Sequence, residues 1–86
     1  MAVNRTNLYD EANQFAQDVV LPLFNDASDP ALFLSGVIQQ AISGEVPRWF
    51  ENRVEAAISN GTLEFDNISM LEFFRAVVVE LPTLLL

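Results

Sequence analysis

Apolar residues recur at helical spacing along most of this chain. Leu8, Ala12, Phe15 and Val19 follow one another at steps of four, three and four, with Ala16 and Val20 widening the stripe. Asp10, Asn13, Gln14, Gln17 and Asp18 fall on the opposite face. Thr6 or Asn7 is placed to cap the start, with Asp10 and Glu11 in the first turn, where a helix dipole favours anions. Pro22 disfavours the helical region for Leu21, which predicts a first helix ending near Val20 and an apolar connector through Leu23 and Phe24.

Asp29-Pro30 reads as a cap followed by proline at the first helical position, after a turn at Asn25-Asp26-Ala27-Ser28. The second helix should run to about Ser43 and stop at Gly44, with Leu34, Val37, Ile38, Ala41 and Ile42 facing inward. Pro47 opens a third helix that carries Trp49, Phe50, Val54, Ala57 and Ile58 and ends at Asn60-Gly61. Thr62 to Asp66 alternates polar and apolar, which suits a short extended segment but not a sheet. The last helix has the strongest start signal, since Ser69 and Glu72 form a capping box and Ile68 can staple against Phe73. It should continue through Phe74, Val77 and Val78 until Pro82 stops it. The expectation is an all-α fold, a small four-helix bundle-like single domain with short loops, spanning residues 1–86.

Composition narrows the chemistry. The chain has no lysine, histidine or cysteine, and twelve carboxylates face four arginines, for a net charge of -8. No imidazole, thiolate or amine is therefore on hand for acid-base, nucleophilic or Schiff-base chemistry. Zinc, iron and copper lose their preferred ligands too. Neither an enzyme nor a cofactor or metal site is expected. The acidic balance argues against direct contact with nucleic acid or anionic lipid, because phosphate is repelled. The longest apolar segment, Phe73 to Leu86, is broken by Arg75, Glu80 and Pro82 and is too short and too polar to span a bilayer. The first residues carry no apolar run of the signal-peptide type, so a soluble protein is expected, in the cytoplasm or inside a large assembly such as a virion.

Three motifs carry a chemical suggestion and an architectural explanation. Asn60-Gly61-Thr62-Leu63 matches the second half of a calcium-binding loop, but Ala56, Ile58 and Asn67 stand where carboxylate ligands belong, leaving a helix end. Asn4, Asn60 and Asn67 each begin a glycosylation sequon, and each sits at a helix end where capping residues are expected. Ile68-Ser69-Met70-Leu71-Glu72 resembles the phosphopantetheine serine motif of acyl carrier proteins, which are also short, acidic and four-helical. The resemblance covers a handful of residues and implies a prosthetic group on Ser69. Ile68 replaces the acid that should precede that serine, and the serine lies too near the C-terminus. Carboxylates one turn apart, such as Glu51 and Glu55, fall on polar faces and read as solvated.

Two features depart from an ordinary globular domain. Arg53 lies within the apolar arc of the third helix, so its stem is expected to pack on Trp49 while its head reaches solvent, the alternative being an ion pair within the fold or with a partner. The second helix carries no charge from Pro30 to Gly44, and its polar face is Ser35, Gly36, Gln39, Gln40 and Ser43. Small and amide side chains suit close approach to another surface, either a partner or, for a central helix, the other three helices of the fold. The C-terminus, Leu84-Leu85-Leu86, is equally apolar and needs cover from its own core or from a neighbour. These observations favour a non-catalytic interaction or structural subunit, homo- or hetero-oligomeric. Its contact surface should be built from Ser35, Gln39, Gln40, Ser43, Trp49, Arg53, Leu84, Leu85 and Leu86. The alternative is an acidic regulator that mimics phosphate on a basic surface.

Overall fold

A computed structural model describes residues 2–85. A two-residue strand, β1 (Ala2–Val3), leads into α1 (Leu8–Phe15), a π-helical stretch (Ala16–Val20) and α2 (Leu21–Asp26), which together make one continuous helical rod. Then come α3 (Pro30–Ser43), α4 (Arg48–Ser59), a second two-residue strand, β2 (Glu64–Phe65), and α5 (Met70–Leu85). Counting the rod as one, four helices stand among the described residues, as the periodicity predicted. α5 packs chiefly along α1, with α3 and then the π stretch also against it, while α3 lies against α5 and α2.

The rod corrects the expected stop at Pro22. Leu21 keeps helical dihedrals and its N–H donates to the Ala16 carbonyl, five residues back. This wider turn lies just ahead of the proline ring, which has no N–H to donate and needs room on the preceding turn. Pro82 does not end α5 either, and the helix continues to Leu85. There the Thr83 hydroxyl donates to the Glu80 carbonyl at 2.8 Å, and Leu84 and Leu85 pack against the core. Burial of those leucines offsets the hydrogen bond the proline removes.

Helix ends follow local chemistry. Gly44 and Gly61 both adopt a φ of +80°. At Gly61 the Thr62 N–H reaches back to Ala57 and the Gly61 N–H to Ile58, the paired bonds that close a helix through a left-handed residue. The Asp29 side chain accepts from the Leu32 N–H at 3.1 Å, as an N-cap should. The capping box forms in both directions, the Glu72 N–H donating to Ser69 Oγ and the Ser69 N–H to Glu72 Oε1, each at 3.1 Å. The start of α1 differs from expectation. Asn7 is the N-cap residue but makes no side-chain cap bond, and Asn4 Oδ1 instead receives the N–H groups of Thr6 and Asn7. Asn7 turns its amide to the Ala2 carbonyl and fastens β1 to the rod.

β1 pairs in parallel with β2, Ala2 opposite Glu64 and Val3 opposite Phe65, and the Asp66 N–H extends the ladder to the Val3 carbonyl at 2.8 Å. Thr62 to Asp66 thus forms a minimal sheet after all, because its partner strand lies at the other end of the chain. Val3 is fully buried by this pairing.

The core is aromatic at its centre. Phe50 of α4 touches Phe74 (ring centroids 4.9 Å apart), Phe15 (5.4 Å), Trp49 (5.8 Å) and Phe73 (6.0 Å). Ala12, Ala16, Val20, Val37, Val54 and Val77 fill in around these rings. Three expected core positions are not core. Ile38, Ile42 and Ile58 are exposed, because α3 and α4 bury narrower stripes than their sequences offer.

Candidate functional site

α3 buries Val37 and Ala41 and half-buries Phe33 and Leu34. Its outer arc consists of Ala31, Leu32, Ser35, Ile38, Gln39, Ile42 and Ser43, all exposed and none charged. Leu32 is 68% exposed and Ile42 is 77% exposed, values that belong to side chains with no intramolecular cover. No internal contact explains Gly36 either, since a methyl group there would meet nothing within 4 Å. The Ser43 hydroxyl is used up on the Gln39 and Gln40 carbonyls of its own helix, so it presents little free donor capacity.

The residues predicted for the contact surface do not come together in one place. Ser35, Gln39 and Ser43 share the outer arc of α3, while Gln40 is half-buried at its margin. Trp49 is tied into the aromatic core, 5.6 Å from Phe33 and 5.8 Å from Phe50 between centroids. Leu84 and Leu85 are half-buried against the core, so the fold itself covers them, and Leu86 lies outside the described residues. Arg53 is exposed on the rim of a separate cleft of about 530 Å³ between α1 and α4. Glu11, Gln14 and Asp18 stand on the cleft's other wall, above a floor that includes Phe15, Val19 and Leu63.

Ile42 and Leu32 were the residues the sequence pattern missed. The spacing places Ile42 inward and gives Leu32 no role, and the available signal was the width of the apolar stripe. A helix with apolar residues around most of its circumference cannot bury all of them in a domain this small.

α3 itself carries no charge, and its nearest carboxylates, Asp29 and Glu45, flank its two ends. Among the described residues the one ion pair joins Arg5 to Glu72 at 2.8 Å. The Ser69 N–H and then the Arg5 guanidinium hold the Glu72 carboxyl below its usual range. Arg75 donates Nε–H to the Ala41 carbonyl at 2.9 Å, placing a cation at the C-terminal end of α3, where the helix dipole favours one. Arg53, the arginine the sequence makes conspicuous, stands exposed, whereas Arg5 and Arg75 are bonded within the fold.

Fold and surface together define a small all-helical domain with one uncharged, partly apolar helix face turned outward. The chain matches no protein-family model, no curated protein and no solved structure.

Proposed function

We propose that this is a non-catalytic interaction subunit that docks onto protein chains through the outer face of α3. The reading rests on one observation: an exposed arc of seven uncharged residues on a chain of net charge -8, carrying a leucine and an isoleucine that are each two-thirds exposed or more. Exposed helix faces on acidic proteins ordinarily carry the charge that keeps them in solution. A face that omits it while retaining large apolar side chains is suited to burial against another surface. Removing such side chains from water is worth about 25 cal/mol per Å².

Affinity capture followed by native mass measurement tests this with the wild type and Ile42→Glu side by side. The substitution adds charge to a side chain that is 77% exposed, so it should leave the melting temperature close to wild type while removing the captured assembly. An assembly of unchanged mass in the variant moves the docking surface elsewhere.

A further inference from the structure

The spacing on α3 identifies what covers it. Ala31, Ser35, Ile38 and Ile42 are all exposed and follow one another at steps of four, three and four, the interval of a coiled-coil seam. Small residues occupy the N-terminal half of this seam and isoleucines the C-terminal half. When such a helix is laid antiparallel on a copy of itself, centred between Gly36 and Val37, each small residue faces a large one. Ala31 of one copy meets Ile42 of the other, and Ser35 meets Ile38, on both sides of the two-fold axis. A parallel pairing would set isoleucine on isoleucine at one end and leave a gap at the other. The seam is therefore complementary to itself in the antiparallel sense, which gives the self-complementary patch a two-fold contact needs.

Charge agrees with shape. α3 has no ionisable side chain over its 14 residues, so two acidic molecules can meet here without a like-charge contact in the seam. In this register Asp29 of each copy lies at the Gly44 end of the other, beside the Arg75 guanidinium. That guanidinium sits 3.5 Å from where a Gly44 side chain would begin. The two helix dipoles also run in opposite senses. We infer that the outer face of α3 is the contact of a two-fold homodimer in which α3 pairs antiparallel with α3 of a second copy. This inference rests on the docking reading above and names its occupant.

One helix face is a small interface, and both copies carry a net charge of -8, so association should be weak and should strengthen with salt. Salt is informative because the Debye length falls from about 30 Å at 0.01 M to about 3 Å at 1 M. Sedimentation velocity on the wild-type chain, from roughly 10 μM to 1 mM, should show the mass rising from monomer toward dimer, and rising further at high salt. Ile42→Glu should remain monomeric throughout. Val79→Glu, which places the same charge on a 59% exposed residue of α5, should dimerise like the wild type.

The chain has no cysteine, so register can be read by oxidation without background. A mixture of Ala31→Cys and Ile42→Cys should give a disulfide-linked dimer of the two different chains. Either variant alone should give several-fold less. A wild type that stays monomeric at both salt extremes overturns the inference, and so does preferential linkage of like to like. Equal loss of dimer in the Val79→Glu control also overturns it. If dimerisation fails while Ile42→Glu still abolishes the captured assembly, the docking face stands and only its occupant is wrong.

Discussion

Phe50→Ala removes the ring at which three helices meet. Phe50 is completely buried, and its centroid lies 4.9–6.0 Å from those of Phe15 on α1, Trp49 beside it on α4, and Phe73 and Phe74 on α5. Truncation loses the transfer free energy of the ring and leaves a cavity that four aromatic neighbours from three helices cannot collapse. A buried Phe→Ala change of this kind costs about 3–5 kcal/mol. A chain of 86 residues has a total stability of roughly 4–13 kcal/mol. The substitution therefore removes about a quarter of the stability at least and can remove all of it. With each kcal/mol worth about 4–8 °C in a domain this size, a loss near 4 kcal/mol lowers the melting temperature by roughly 16–32 °C. Urea titration followed by circular dichroism and by Trp49 fluorescence measures the effect. Phe50→Leu, which retains most of the volume, supplies a value if the alanine variant does not fold and should cost about 1–2 kcal/mol. A loss under about 1.5 kcal/mol for Phe50→Ala, with an unchanged denaturant slope, would refute this account of a rigid aromatic centre.

Ser69→Ala should cost about 1 kcal/mol in the same titration through loss of the capping bond, and intact-mass analysis should find no phosphopantetheine adduct on the wild-type serine. Glu72→Gln should destabilise at neutral pH. Because the folded carboxyl lies below its ordinary value of 4.5, the advantage of the wild type is present above that pH and disappears as the pH falls further; melting temperatures of both chains across acidic pH check it. Gly36→Ala should stabilise by about 0.5–1 kcal/mol, since the position is helical and a methyl group meets nothing within 4 Å. Gly44→Ala should destabilise, its φ of +80° being strained for any side chain, and equal effects at the two glycines would contradict the backbone assignment.

The helices were legible in the chain itself because their causes are local. Asp29-Pro30, Gly44, Pro47, Gly61 and the Ser69–Glu72 box each act within a few residues, and each marks the boundary it should. The core stripes of α1 and α5, and that of α4 apart from Ile58, were likewise readable from 3.6-residue spacing. Proline misled where its effect depends on what surrounds it. The π stretch at Ala16–Val20 accommodates Pro22, and leucines docked on the core carry α5 past Pro82, and neither is written in a dipeptide. The β1–β2 pairing was invisible because it joins residues some sixty positions apart, each strand being two residues long. Which apolar residues remain outside was the other decision left to packing. Periodicity marks every apolar position on α3 as a candidate for burial, but a core has room for one stripe. The contacts of α3 with α2 and α5 chose Val37 and Ala41 and left Leu32, Ile38 and Ile42 in water. A sequence specifies local backbone preference and the supply of apolar surface; only the closed three-dimensional packing sets how much of that supply the molecule can consume.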